Sequence, residues 1–311
     1  MKAKFYFSVI CYLLIILLRC DNQLDSWVTE SETIPPPTEE TIAFMASDHT
    51  LCISNKDYKK FYRLTFHGAY EYDWSPDKQW LCFMYDFKIW KIKYDGTQET
   101  QLTPSSMTCE LPRFSADGSK ILFVANRNRP DEFITDIYIM NSDGSNIEKI
   151  TESELLSKER VYYFSWPDWL NNGKQIIFEY AEVSLDPTKV QSHLGILDLD
   201  TYNLTTLSSL NSLQPFNPRP SPTRDEFVFV ILVSRTKGGT DIYRVNMDGT
   251  DLIRLTHGSR SWLPDWSSDG EKIIYNYTNE TGNSIIRIVN RDGTNDHQIT
   301  IANLKSGKGP N

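Results

Sequence analysis

Apolar residues along this chain come in short bursts, and the bursts recur in a fixed order. The clearest passage opens with Leu263-Pro264-Asp265-Trp266-Ser267-Ser268-Asp269-Gly270 and runs on through Lys272-Ile273-Ile274-Tyr275. After a variable gap come Ile285-Ile286-Arg287-Ile288-Val289-Asn290, then Asp292-Gly293, then Gln298-Ile299-Thr300. Four strand-sized apolar pieces within a period of roughly 40 to 55 residues are the mark of a propeller blade.

Other passages can be laid over that one. Tyr72-Asp73-Trp74-Ser75-Pro76-Asp77 opens a unit that closes at Gln101-Leu102-Thr103. Leu111-Pro112-Arg113-Phe114 opens the next, which closes at Lys149-Ile150-Thr151. Trp166-Pro167-Asp168-Trp169 opens a divergent unit ending near Thr206-Leu207-Ser208, and Asn217-Pro218-Arg219-Pro220 opens another ending at Arg254-Leu255-Thr256. A worn first copy keeps Ile42-Ala43-Phe44, Leu51-Cys52-Ile53-Ser54 and Arg63-Leu64-Thr65. The pattern predicts six units, each a four-stranded antiparallel meander.

Strand signals are local. Ile121-Leu122-Phe123-Val124 and Ile137-Tyr138-Ile139-Met140 are short, rich in β-branched and aromatic residues, and bounded by turn formers. Asp95-Gly96, Asp143-Gly144, Asp248-Gly249 and Asp292-Gly293 sit between pairs of such strands. Asp-Gly supplies the positive φ angles that tight hairpins need. No helical period is sustained beyond the N-terminus, so an all-β chain with almost no helix is expected. The repeated aspartates read as turn caps rather than calcium ligands, because a calcium loop needs several oxygens converging within about a dozen residues. Trp74, Trp169 and Trp266 recur at one position of the unit and read as packing between blades.

Composition narrows the function classes. Of 311 residues, 40% are hydrophobic and 13% aromatic, ample for a core. A net charge of −9 without a basic stripe argues against nucleic acid. At the start, Lys2 and Lys4 precede an apolar run from Phe5 to Leu18, short for a membrane span of about 20 residues. Residues 1–20 therefore read as an export signal. Leu17-Leu18-Arg19-Cys20 has a lipobox-like form that makes Cys20 a candidate for lipidation. Arg19 departs from that pattern, and an ordinary or uncleaved signal is the alternative. Residues 21–40, polar and carrying Pro35-Pro36-Pro37, read as a tether, 41–304 as the propeller, and 305–311 as a disordered tail. The propeller is expected outside the cytoplasm, in the periplasm or held to a membrane through the N-terminus alone, and as a monomer. Cys52 and Cys82 fall inside apolar strands, Cys109 is placed in a loop, and a Cys82–Cys109 bridge is a minor option. No spacing of Cys or His marks a metal site, and no cofactor is expected.

The Trp-Ser-Pro-Asp opening, the Ile-Tyr hairpin ending in Asp-Gly and the closing Leu-Thr resemble the PD40, or WD40-like, repeats of the TolB family. The resemblance covers roughly Ile42 to Thr300 and implies a six-bladed TolB-like propeller. TolB-family chains also carry an N-terminal α/β domain; with only a short stretch between Cys20 and Ile42, that domain is not expected here. What the resemblance implies is a non-enzymatic envelope protein that acts through contacts with a protein partner. A carbohydrate- or peptide-binding propeller is the alternative, with Trp262 and Tyr70 as glycan-stacking candidates. A third reading is a metal-dependent enzyme of the oligogalacturonate-lyase type, drawing on His49, His67, His193, His257 and His297.

Two hairpin turns of a meander lie at one end of the blade, and the middle loop and the blade-to-blade loop lie at the other. At that second end the sequence is long and irregular, over Ala125 to Asp136, Ala181 to Leu194, Val233 to Asp241 and Glu152 to Phe164. Variable loops on a rigid scaffold are where binding residues concentrate. Arg127, Arg129, Tyr162, Tyr163, Phe164, His193 and Trp262 are the candidate contacts, because aromatic and arginine side chains dominate interfaces. No catalytic residue is assigned.

Overall fold

The computed structural model describes residues 33–38, 41–45, 49–55, 60–126, 135–152, 162–182, 190–234, 239–258, 260–280, 282 and 284–298. Among these, 23 strands form six antiparallel sheets that follow one another around a ring. Blade 1 shows β1 (Ala43–Met45), β2 (Leu51–Ser54) and β3 (Phe61–Arg63). Blade 2 is β4 (Tyr70–Trp74), β5 (Trp80–Tyr85), β6 (Lys88–Lys93) and β7 (Thr100–Gln101), and blade 3 is β8 (Cys109–Phe114), β9 (Lys120–Asn126), β10 (Thr135–Asn141) and β11 (Glu148–Lys149). Blade 4 is β12 (Tyr162–Trp169), β13 (Gln175–Glu182), β14 (Ser192–Asp198) and β15 (Leu204–Thr206). Blade 5 is β16 (Pro215–Pro220), β17 (Glu226–Ser234), β18 (Gly239–Asn246) and β19 (Ile253–Arg254). Blade 6 is β20 (Ser261–Trp266), β21 (Lys272–Thr278), β22 (Ser284–Asn290) and β23 (His297–Gln298). Helix is limited, among the described residues, to one 3₁₀ stretch, Ser208–Leu213.

The second strand of each blade explains why its sequence is continuously apolar rather than alternating. Along β9, Ile121 and Phe123 pack into a layer shared with blade 2, whereas Leu122 and Val124 pack into one shared with blade 4. A strand buried on both faces has no polar side to show. The core is accordingly a series of inter-blade layers, and blades 4 and 5 meet through Ile177, Leu194, Phe227 and Phe229 in the same manner.

Both hairpins of a blade are built by short polar side chains. At the first, Ser75 Oγ donates to Asp77 Oδ1 (2.6 Å) and accepts from the Trp80 amide (2.9 Å). Ser115 and Asp117 repeat the device in blade 3, and Ser267 and Asp269 in blade 6. At the second hairpin, Asp143 Oδ1 accepts from the Ser145 amide and hydroxyl, and Asp95, Asp248 and Asp292 do the same. These carboxylates cap turns. Gly144 shows why glycine follows: its φ is +88°, and a Cβ there would lie 2.9 Å from the Leu102 carbonyl oxygen of the preceding blade.

The threonine that closes four of the units also has a structural use. Thr65, Thr103, Thr151 and Thr256 each accept, through Oγ1, the amide of the residue fourteen positions earlier (2.9–3.0 Å). In blades 3 and 5 the same hydroxyl also bonds to Asp136 or Asp241, both fully buried.

Several expectations change or lie elsewhere. Cys109 is not in a loop: it opens β8, fully buried, and Cys52, Cys82 and Cys109 are all free thiols. Phe164, taken as a loop contact, lies inside β12 at 0% exposure, edge-on to Phe178. The proposed export signal, Cys20, Trp27, Ile301 to Leu304 and the tail fall outside the described residues. No helix among the described residues is long and apolar enough to cross a membrane.

Candidate functional site

The innermost strands share a defect that shapes the axis. In β4, β8, β12, β16 and β20 the pairing with the next strand skips a residue. At that bulge Glu71, Leu111, Trp166, Asn217 and Leu263 take left-handed backbone conformations, with φ between 45° and 57°. Such a conformation costs a non-glycine residue about 1–2 kcal/mol. In four of the five strands the next residue is proline, which normally pushes its predecessor towards extended backbone. Bulges re-aim side chains, and two positions further on stand Asp73, Arg113, Asp168, Arg219 and Asp265.

These five line an axial cavity of about 220 Å³, together with Trp74 and Trp169. Carboxylate and guanidinium alternate from blade 2 to blade 6. Arg219 pairs with Asp168 at 3.0 Å. Arg113 donates to the backbone carbonyls of Tyr72 and Pro112, at 3.3 and 2.8 Å. Burial pulls the Arg113 pKa down, but Asp73, Asp168 and Asp265 outweigh it and hold it above the ordinary value. Burial pushes the Asp73 carboxyl up to about 6 and Asp168 up to about 8, and it raises Asp265 as well. Asp73 Oδ2 accepts the Phe114 amide (2.8 Å), and Asp265 Oδ1 accepts the Trp266 amide (2.9 Å).

The blade tryptophans stitch neighbouring blades at this level. Trp169 Nε1 donates to the Arg113 carbonyl (3.2 Å), and Trp266 Nε1 donates to the Arg219 carbonyl (2.9 Å). Trp74 Nε1, which faces the place of blade 1, is buried without a partner among the described residues.

One step beyond the ring lies a second acidic level. Glu71 Oε2 accepts the Leu111 amide (2.9 Å). Burial and the neighbouring Glu71 push Glu110 up to about 7. Asn217, at the bulge position of β16, is 1% exposed, and its Oδ1 has no partner among the described residues. Glu179 interrupts the repeat here. It pairs with Ser165 at the position where β9 and β17 carry Val124 and Val230, and burial alone lifts it to about 8.

Of the contacts chosen from sequence, the structure brings Tyr162 and His193 together, and Tyr163 faces the other side of the sheet. Tyr162 stands edge-on to Tyr180 at 6.1 Å, and His193 lies against the same ring at 5.3 Å. Burial and Glu179 raise the Tyr163 hydroxyl pKa. Trp262 is separate, on β20 in blade 6, with a buried Nε1 lacking a partner among the described residues. Arg127 and Arg129 lie outside the described residues. Three exposed aromatics escaped the sequence reading, Phe66 at 76%, Phe87 at 51% and Tyr202 at 48% exposure; His67, which follows Phe66 in the chain, stacks on Tyr85 (3.8 Å). The axial charges also escaped it, although each directly precedes Trp74, Phe114, Trp169, Pro220 or Trp266.

The histidines are dispersed. His67 pairs with Glu99 at 2.5 Å, His49 stacks on Tyr70, and His297 Nδ1 lies 2.7 Å from the Asn295 carbonyl. No three His, Cys, Asp or Glu among the described residues come together as metal ligands.

These features define the class: a six-bladed β-propeller of antiparallel, mostly four-stranded blades. Within that class the chain is TolB-like. The protein TolB of the Tol-Pal system of Francisella tularensis subsp. mediasiatica is 23% identical over 233 residues, 74% of this chain and 50% of the relative. An uncharacterized protein of Agrobacterium fabrum is 30% identical over 171 residues, 52% of this chain and 54% of that one. The chain thus spans about half the length of these curated relatives. No family model matches it. Among solved structures, TolB from Acinetobacter baumannii superposes with a TM-score of 0.64 at 16% identity, covering 83% of this chain and 63% of the other. An oligogalacturonate lyase from Vibrio parahaemolyticus gives 0.52 at 10% identity, covering 80% and 86%. These superpositions establish the shared fold.

Proposed function

We propose that the chain is an exported, non-enzymatic propeller of the bacterial cell envelope that acts as a docking platform for a protein partner. The observation that carries this reading is the likeness to TolB across 233 residues, 74% of this chain. The architecture supports it: the blade cores are rigid layers, whereas the ends that join second to third strands differ from blade to blade. On this reading Tyr162, Tyr163, His193 and Trp262 contact the partner, as do Arg127 and Arg129. Export through residues 1–20, with or without lipid on Cys20, places the propeller in the periplasm or at a membrane.

A photoreactive amino acid at Tyr162 or Trp262, with a third position at the exposed Gln98 of the hairpin end as control, tests the platform in its own envelope. A partner captured from the first two positions and not from Gln98 is the expected result. Capture from Gln98 alone, or from none of the three, overturns it.

A further inference from the structure

We propose that a cleft between blades 2 and 3, at the hairpin end of the ring, binds a neutral sugar ring. The cleft lies at the opposite end from the loops that join second and third strands, and it stands independently of the platform reading.

Two breaks in the repeat open it. In blades 2 to 6 the residue after the third strand donates its amide to a carbonyl of the first hairpin of the same blade: Tyr94 to Gln79, Ser142 to Ser119, Leu199 to Lys174, Met247 to Asp225 and Arg291 to Glu271. Leu199 packs into the layer between blades 3 and 4, and Met247 into the one between blades 4 and 5. Arg291 reaches back to Glu226 of blade 5. Ser142 is too short to fill the corresponding place against blade 2, and it lines the cleft instead. The second break is Trp80. Its carbonyl accepts the Ser75 amide at the exit of the first hairpin, where blades 3 to 6 place Lys120, Gln175, Glu226 and Lys272. An indole thus stands where those blades carry long polar side chains. Between the two breaks is a cavity of about 270 Å³. That is just below the roughly 300–1,000 Å³ of a site for a drug-sized ligand, and suits a single sugar ring.

The lining sets the chemistry of the ligand. Trp80 and Phe114 supply an apolar wall. Lys91 Nζ lies 4.8 Å from the centre of the Trp80 ring and donates to the Ser142 carbonyl (2.9 Å). An ammonium has three donors, so two remain open among the described residues. Asp77 accepts the Ser75 hydroxyl and the Gln79 amide on Oδ1, and its Oδ2 has no donor among the described residues. Asp117 lines the blade 3 side, its carboxyl held at about 2 by hydrogen bonds from Ser115 and Ser119. An anion would meet two carboxylates against one ammonium. A cation would meet Lys91, which already holds the indole and the Ser142 carbonyl. A wholly apolar group would cover the open donors and acceptor without bonding them, which is costly. A sugar ring satisfies all of these demands. Its C–H groups lie against the apolar wall, and its hydroxyls donate to carboxylate and accept from ammonium.

Saturation-transfer NMR on the full-length chain tests this, with the methyl glycosides of glucose, galactose, mannose and N-acetylglucosamine as probes. Transfer to at least one of them, with a Kd on the order of millimolar, is expected. Methyl glucuronoside, which carries a carboxylate towards Asp77 and Asp117, is expected to bind more weakly than that neutral glycoside. Ser142→Leu gives blade 3 the side chain of blade 4 and fills the cleft, and Lys91→Met removes the ammonium. Each is expected to weaken the bound glycoside by about tenfold or more. Thermal unfolding reports whether each variant folds, and either one alone gives the comparison. Transfer to none of the four glycosides, tighter binding of the glucuronoside, or an affinity unchanged in a folded variant overturns the inference.

Discussion

Single side chains that break the repeat carry the clearest consequences. Glu179 stands where blades 3 and 5 carry valine, and its carboxyl is raised to about 8 by burial. A raised carboxyl favours folding while it is protonated in the native state. That contribution is complete below the ordinary carboxylate range and is lost as the pH climbs through about 8. Glu179→Val is therefore expected to flatten the fall in stability between pH 5 and 8.5, with a gain on the order of 1–3 kcal/mol at the alkaline end. Urea unfolding at the two pH values measures it. Glu226 is the opposite case. Burial opposes its charge, but Arg291 (2.5 Å) and Arg244 outweigh that and hold its pKa below the ordinary value. Its contribution is present at neutral pH and lost as the pH falls through the depressed value. Arg244 is itself only 2% exposed, so Glu226→Gln leaves a buried cation short of its counter-charge. A loss of about 3 kcal/mol in urea unfolding is expected; a loss under about 1 kcal/mol means that Asp251, 2.8 Å from Arg244, suffices.

At the scale of the strand and turn, the closing threonine is a staple. Thr151→Val strips a bond from the buried Ile137 amide and another from Asp136, and is expected to cost about 1–3 kcal/mol. Ser208, the corresponding residue of blade 4, is exposed. Ser208→Ala is thus expected to change stability by less than about 0.5 kcal/mol in the same assay. The strands were legible because each repeats a local signal: an apolar run bounded by Asp-Gly or Ser-x-Asp, whose turn bonds involve residues close in sequence. Thr151 was legible as a punctuation mark but not as a bond, since its partner lies fourteen positions away across the blade. The axial ring stayed hidden for a related reason. Asp73 and Arg113 are forty residues apart and meet only after the bulges have turned both strands, and no periodicity in the chain announces a left-handed residue before proline. Phe164 misled because the inter-blade segment looked irregular up to its end, whereas β12 begins at Tyr162 and takes Phe164 into the core.

At the scale of the ring, cohesion comes from layers shared by neighbouring blades and from indole bonds that cross them. Trp169→Phe and Trp266→Phe each remove such a bond, leave a buried carbonyl short of a donor, and are expected to lower the unfolding midpoint by a similar amount. Trp74→Phe removes a donor with no partner among the described residues and is expected to lower it less; an equal loss by calorimetry shows that blade 1 meets this indole after all. One feature of the axis reaches beyond stability. The left-handed residue and the charged residue stand two positions apart in all five of the described innermost strands, at 71 and 73, 111 and 113, 166 and 168, 217 and 219, and 263 and 265. Side chains alternate along a strand, so losing one residue inside that interval would turn the charge away from the axis. The interval is a reading frame written in backbone. Genes for close relatives are expected to gain and lose codons freely between second and third strands, to trade one charge for another on the axis, and to keep the length of this interval unchanged.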